Sequence, residues 1–327
     1  MSRAAILKFI PTEIDAAVRQ GFEWIGWTKW VSSGARVFIK PNLTYPFYRP
    51  GVTTSPEVLA SLAKLLRERT DNITIGESDG ASYAWKAEES FAALRLEALT
   101  QKYGVRLVNL SQVPAEPAET EIAGRPVRVV LPSFLLHETD VFITVPVPKV
   151  HVMTGVSLGF KNQWGCLPDV KRLRHHPEFR HYVLGINRLL RTQLCLFDGT
   201  YFLDRTGPMD GEPVRMDLVV ASDDPGAGSL VCCEIMGLDA KKIAHLRLAQ
   251  RVGMMPARIA DVELNAAPAQ FRTRQFRLRR SFLHYAAAAA FRSRWATRVA
   301  YDSRLAKPLH ELLYIFRGRP EDLSPKW

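Results

Sequence analysis

Residues 141–176 read VFITVPVPKVHVMTGVSLGFKNQWGCLPDVKRLRHH, and the fold turns on them. The opening run, Val141–Val147, is apolar and rich in β-branched residues, the composition of a buried strand. Prolines 146, 148 and 168 and glycines 155, 159 and 165 then make much of the following stretch loop. Into that span the chain packs Lys149, His151, Lys161, Lys171, Arg172, Arg174, His175 and His176. A solvated basic loop could carry the same charges. Here Val152, Val156, Leu158 and Phe160 would tie the loop to a core, and Trp164 stands beside Asn162 and Gly165. The reading is a cationic pocket for an anionic ligand at a strand end.

Strands and helices alternate on both sides of this stretch. Upstream, the pattern predicts strands at Ala4–Phe9, Ala35–Lys40, Asn72–Gly76, Val105–Asn109 and Val127–Leu131. It predicts helices at Thr12–Ile25 with Thr12 as cap, at Pro56–Arg69 with Ser55 as cap, and at Trp85–Tyr103. The start of the second helix is a candidate anion site, with plain capping as the simpler use. The polar, proline-rich segment Ser111–Pro126 suits a hairpin, and Trp24, Trp27 and Trp30 suit core packing more than a pocket wall. Downstream follow a helix at Phe179–Leu190, strands at Gln193–Phe197 and Met216–Ala221, a helix at Gly228–Met236 capped by Gly237, and a helical stretch at His245–Arg251. Residues 257–270 read as a plain connector. Such alternation predicts an α/β fold with a mostly parallel sheet and helices on both faces. Ligands bind such sheets outside the carboxyl ends of the strands. Five strands deliver polar motifs there: Lys40 and Asn42, Glu77 and Asp79, Lys149 and His151, Asp198, and Asp223 with Asp224. A single composite site is the expectation.

Within it, Lys149, Lys161 and Lys171 would neutralise the anion, joined by Lys40 and Asn42, with Asn162 and Trp164 lining the ligand. His151 and His175 are the acid–base candidates, since histidine alone titrates near neutrality unperturbed. A structural hydrogen bond for His151 and surface solvation for His175 and His176 are the competing uses. A metal variant of the site takes Glu77, Asp79, Asp198 and Asp224 as oxygen ligands of a divalent ion such as magnesium or manganese, with His151 as a nitrogen ligand. No Walker A, G-x-G-x-x-G or G-x-S-x-G sequence occurs. The four cysteines form no C-x-x-C motif, so no iron–sulfur cluster is expected, and they read as buried thiols.

The 327 residues suffice for a sizeable core, and their 47% hydrophobic and 24% charged content is ordinary for a globular protein. No apolar run is long enough for a membrane span, and the first residues lack a signal-peptide core. The expected location is cytoplasmic, with membrane association left open. Ten basic residues against one acid fall within 271–307, a net +9 out of the chain's +11. The main body therefore gives no sign of specific nucleic-acid binding. The sequence divides into an α/β domain at 1–265 and a basic helical extension at 266–327. In that extension Phe291, Trp295 and Val299 recur at helical spacing among arginines, a pattern suited either to an anionic membrane surface or to packing on the body.

Several motifs together resemble the domain of unknown function 362 family (DUF 362). They are VFIKPNL at 37–43, TTSPEV at 53–58, IGESDG at 75–80, LPSFLLHETDV at 131–141, PKVH at 148–151, KNQWG at 161–165, DG at 198–199, GP at 207–208 and the run from SDDP to MGLD at 222–239. The resemblance covers roughly residues 30–255 and implies an α/β fold without implying a reaction. Some members of that family carry a ferredoxin-like cysteine segment, which this chain lacks. The family usually places an aspartate five residues after the first one of its D-P segment, where this chain has Ser229. A metal-binding or acid–base role resting on that aspartate loses its support here. The functional reading is an enzyme, or a remnant of one, acting on a small phosphate- or carboxylate-bearing ligand. The alternative is a peripheral membrane or polyanion-binding protein acting through its basic helices.

Overall fold

All five residues of the strand Val141–Val145 are buried. Val141, Ile143 and Val145 enter one apolar layer and Phe142 enters another. Alternating burial of this kind requires cover on both faces of a sheet. The computed structural model, which describes residues 1–304, 306 and 308, supplies that cover. Its strands are β1 (Ser2–Lys8), β2 (Val37–Pro41), β3 (Ile73–Glu77), β4 (Arg106–Asn109), β5 (Ala115–Ile122), β6 (Arg125–Pro132), β7 (Val141–Val145), β8 (Lys149–His151), β9 (Gly155–Ser157), β10 (Leu194–Asp204), β11 (Glu212–Ser222) and β12 (Val262–Leu264). The helices are α1 (Ile14–Ile25), α2 (Pro56–Leu66), α3 (Ala87–Ala93), α4 (Glu97–Tyr103), α5 (Ser133–His137), α6 (Gly159–Asn162), α7 (Phe179–Leu190), α8 (Pro225–Met236), α9 (Ala244–Arg251), α10 (Phe282–Arg292) and α11 (Arg294–Asp302).

The main sheet runs β12-β1-β11-β10-β7-β2-β3-β4. It is mostly parallel. Within this order only β11 opposes the rest, being antiparallel to both β1 and β10. Helices α1 to α4 cover one face and α7 to α9 the other, where the β5–β6 hairpin also packs. The small β8–β9 hairpin branches from the sheet where β8 pairs with β10. The carboxyl ends of β2, β3, β7 and β10 therefore open on one side, beneath the segment that runs from β8 through α6.

Several local expectations change. The antiparallel course of β11 puts Asp223 and Asp224 at the opposite end of the sheet, where Arg3 N donates to Asp223 at 2.7 Å. The single helix expected at Trp85–Tyr103 is two, because Arg95 turns left-handed (φ 53°) and so allows both Leu94 and Leu96 into the core. Thr12 does not cap α1, since a 3-10 turn over Pro11–Glu13 intervenes. Strands β10 and β11 both outrun their apolar segments, pairing as far as Asp204 with Glu212. The presumed connector contains β12, parallel to β1. Of the three tryptophans, Trp27 is in the core, while Trp24 and Trp30 are partly exposed.

The basic extension also differs. Helix α10 ends at Arg292, and Ser293 in extended conformation caps α11. Phe291, Trp295 and Val299 consequently share no single helix. The two helices dock on the 3-10 segment Arg172–Glu178. Phe291 meets His176 at 5.0 Å between ring centroids, and Arg174 pairs with Asp302 at 3.1 Å. Residues 305, 307 and 309–327, Lys307 among them, lie outside the described residues.

Helix α8 crosses the sheet through its glycines. A Cβ on Gly228 would overlap the Phe197 ring and come within 3.1 Å of Ser222 Cβ. Gly228→Ala should destabilise the fold by about 1–3 kcal/mol despite alanine's better helix propensity, because overpacking outweighs a gain of about 1 kcal/mol. The urea midpoint measures this, and an unchanged or raised midpoint would mean that the ring steps aside freely.

Candidate functional site

Proline ends the ladder of β2 and leaves Lys40 at the sheet rim. Its ammonium is buried and donates to Glu77 Oε2 at 2.6 Å and to the Pro41 carbonyl at 2.7 Å. Glu77 ends β3 and also accepts the backbone N–H groups of Leu43 and Ser78. A 3-10 turn at Gln163–Cys166 lies directly on this pair. A Cβ on Gly165 would stand 2.5 Å from Glu77 Oε1 and 2.9 Å from Lys40 Nζ. Ser78 Oγ donates to the Gly165 carbonyl at 2.8 Å. Asn162 Nδ2 donates to the Lys40 carbonyl at 2.8 Å and to Thr144 Oγ1 at 2.9 Å. Lys40, Glu77 and Asn162 thus form the floor that fixes α6 to the ends of β2, β3 and β7.

The neighbouring cations are less evenly matched. Lys149 Nζ is buried, 2.5 Å from the Val52 carbonyl and 3.5 Å from Asn42 Oδ1. Burial and the charge of Lys161 hold its pKa well below the lysine range, against a weaker pull from Glu77. Arg172 is buried and donates to the carbonyls of Asp79 (2.8 Å) and Asp169 (3.4 Å). Lys161, on α6, is half-buried, and among the described residues no acceptor receives its ammonium. Desolvation first, and the Arg172 charge second, bring its pKa down to about 8. Lys161 is the common electrostatic neighbour of Lys149, His151, His176 and His245, lowering the pKa of each.

The histidines carry complementary faces. His151 Nδ1 accepts the Met153 N–H at 3.1 Å, which leaves the proton on Nε2. His176 Nδ1 lies 2.9 Å from the Leu173 carbonyl, so it donates and leaves Nε2 as the acceptor. Desolvation lowers the pKa of all three rings, His151 well below its usual value, His176 down to about 4 and His245 to about 3. His245 Nε2 is buried, with no hydrogen-bond partner among the described residues. Nothing in the sequence around His245 distinguishes it. It reaches the site because α9 packs on α7, where His245 meets Phe179 edge-on at 5.7 Å.

Other candidates have different surroundings. Trp164 is buried among His176, Phe179 and Tyr182, an aromatic wall and not an exposed ligand face. His175 stacks on Tyr182 at 4.4 Å, its Nε2 receives Arg174 Nε at 3.3 Å, and its pKa is lowered mainly by burial. No hydrogen bond or ion pair among the described residues joins the Lys171 ammonium to the cluster. Asp198 accepts from the N–H and hydroxyl of Ser55 (2.6 and 2.7 Å) and from the N–H and hydroxyl of Thr200 (3.0 and 2.7 Å). The anion at the start of α2 is therefore the protein's own carboxylate, and Ser55 donates its hydroxyl to Asp198 instead of capping the helix. Asp79 accepts from Ala87 N and Asn109 Nδ2. Asp224 caps α8 through Ala227 N, across the sheet from the other candidates. Glu77, Asp79, Asp198 and Asp224 are thus not brought together, and among the described residues no cluster of three His, Cys, Asp or Glu side chains is placed to hold a metal. Ser229 donates to the Pro225 carbonyl at 2.6 Å and receives Gly159 N at 3.1 Å, a packing role between α8 and α6.

A family model described as "Domain of unknown function (DUF362)" matches residues 37–234. A thylakoid-associated protein of Synechocystis sp. is 28% identical over 240 residues, 71% of this chain and 72% of its own length. Among solved structures, the lactate racemase apoprotein of Thermoanaerobacterium thermosaccharolyticum aligns with a TM-score of 0.49 and 12% identity, over 73% of this chain and 58% of that one. A protein of Thermotoga maritima aligns with a TM-score of 0.41 and 13% identity, over 75% and 61%. This chain spans about three-fifths of the length of those two proteins.

The floor makes a direct demand on stability. Lys40→Met would leave the Glu77 carboxylate buried without its cation, which should cost about 3–5 kcal/mol. Adding Glu77→Gln should recover a large part of that loss in the double variant. Urea unfolding of the single and double variants measures both, and equal losses in the two would show that the pair is not coupled.

Proposed function

The chain belongs to the DUF362 family, a domain of unknown function, and from that premise we propose that the basin around Lys161 binds a small carboxylate- or phosphate-bearing ligand and performs acid–base chemistry on it. The observation that carries this reading is the charge balance around Lys161. The one carboxylate on the floor, Glu77, is taken up by Lys40, two backbone N–H groups and the contact with Gly165. The remaining positive charge, on Lys161 and Arg172, is desolvated, and among the described residues no carboxylate is hydrogen-bonded to either, Arg172 donating only to carbonyls. A protein keeps charge in that condition at a cost, and an incoming anion repays it. His151 offers an Nε2–H donor and His176 an Nε2 lone pair, the two halves of a proton relay at neutral pH. Trp164, Phe179 and Tyr182 back the site and exclude water from one side.

A second reading rests on the outer face of the extension. Phe282, Tyr285, Ala286, Ala289 and Ala290 are exposed along one stripe of α10, and Trp295 is 76% exposed on α11. Arg292 and Arg298 are exposed on the same two helices, while Arg294 pairs with Glu178 on the body. Aromatic residues beside arginines suit the interface of an anionic bilayer. The similarity to a thylakoid-associated protein agrees with a membrane-surface location. No described helix is long and apolar enough to cross a membrane. The protein should sediment with phosphatidylglycerol vesicles and not with phosphatidylcholine vesicles, and the variant with Trp295→Ala and Arg298→Glu should lose that binding. Equal sedimentation with both vesicles would remove this reading.

Thermal unfolding with inorganic phosphate tests the basin. At about 100 times its dissociation constant a ligand adds about 2.7 kcal/mol to the native state. Lys161→Met should abolish the phosphate-induced rise while raising the melting temperature of the ligand-free protein, because it removes a desolvated charge. The pH dependence has a definite sign. The native pKa of Lys161 is below its unfolded value, so the unfolded chain holds more protons above about pH 8. The ligand-free wild type therefore gains on Lys161→Met as pH rises from about 8 towards the ordinary lysine pKa. Phosphate should lose affinity over the same range. A phosphate response that survives in Lys161→Met would overturn the proposal.

A further inference from the structure

We propose that Lys161 is a nucleophile, its side-chain amine condensing with the ketone carbonyl of a small 2-oxo acid whose carboxylate is held by the surrounding cations. The inference rests on the anion-binding reading of the same basin and goes further by naming the bond that forms. Lys40 and Lys149 also stand at this end of the sheet, and both are sealed at 1% exposure with acceptors in place, Glu77 and Pro41 for Lys40 and Val52 for Lys149. Arg172 is also buried and donates to two carbonyls. Lys161 alone of these four is only half-buried, and it has no acceptor among the described residues.

An amine so placed has its lone pair free once it loses a proton, and neighbouring positive charge favours that loss. The lowered pKa of Lys161 fits this role. The same positive charge suits a carboxylate on the carbon next to the ketone. The His151 Nε2–H and the His176 Nε2 lone pair stand in the same electrostatic neighbourhood to exchange protons with the carbinolamine. The step balances without a redox partner. The Lys161 ammonium and the ketone give a protonated imine and one water. A C–N bond forms and the C–O bond breaks, and the oxygen leaves with two of the ammonium protons.

The test uses the full chain with pyruvate as the probe and sodium borohydride as the trap, followed by peptide mass spectrometry. The expected result is a carboxyethyl adduct on Lys161 in about tenfold excess over any other lysine, as an activated amine should give. Excess inorganic phosphate should suppress the adduct. Lys161→Arg, which keeps the charge, should give no adduct in that peptide while retaining a phosphate-induced thermal shift. Adducts spread evenly over surface lysines, or an adduct on Lys161 indifferent to phosphate, would overturn the inference. A phosphate shift in the wild type without trapping would sink the imine and leave anion binding standing, whereas loss of both would sink both. Site mapping and phosphate competition on the wild-type protein decide the matter even if the arginine variant fails to fold.

Discussion

The Lys40–Glu77 ion pair is the contact on which this end of the molecule depends. It joins the rims of β2 and β3 at 2.6 Å and lies under the turn that carries Gly165. Buried pairs of this type add little net stability over an apolar replacement, but removing one partner is expensive. Their use is geometric. With Lys40 neutralised from below and Asn162 tied to the Lys40 carbonyl, α6 has one position available, and Lys161 is placed by it. The floor absorbs the Glu77 carboxylate, and Lys161 above it has no acceptor among the described residues.

The sequence foretold this division only in part. The α/β class, the mostly parallel sheet and the clustering of Lys40, Asn42, Lys149, His151 and Asn162 were legible, because apolar β-branched runs ending in proline and polar residues leave few alternatives. Direction was not legible. A strand has the same side-chain period whichever way it runs, so Asp224 read as a rim residue although β11 is antiparallel. Role was not legible either. Asp198 and Glu77 looked like free carboxylates, and only the fold shows the donors each already serves. His245 was invisible because its place depends on how α9 meets α7, a packing fact with no local signature.

The extension illustrates the same limit from the other side. Its arginines and aromatics have helical spacing, yet Ser293 breaks the helix and divides the residues by function. Phe291 and Tyr301 turn inward towards the segment bearing His176, while Trp295 turns out. One short basic stretch thus both braces the wall of the basin and presents a surface of its own. The described contacts of α10 and α11 fall mainly on Arg172–Glu178, so whatever engages their outer face bears on the element that holds His176.

The position of β1 has a consequence for how the chain reaches this state. It lies far upstream of both its neighbours, yet it sits between β11 and β12, paired with Ser222 and Val262 across more than two hundred residues. Contacts of such sequence separation are slow to close. As the polypeptide emerges during synthesis, Ala4, Ala5 and Ile6 must wait, unpaired, until β11 has been made. The segment β2 to β4 can assemble locally in the meantime, and β1 then docks on β11 before β12 can pair along its other edge.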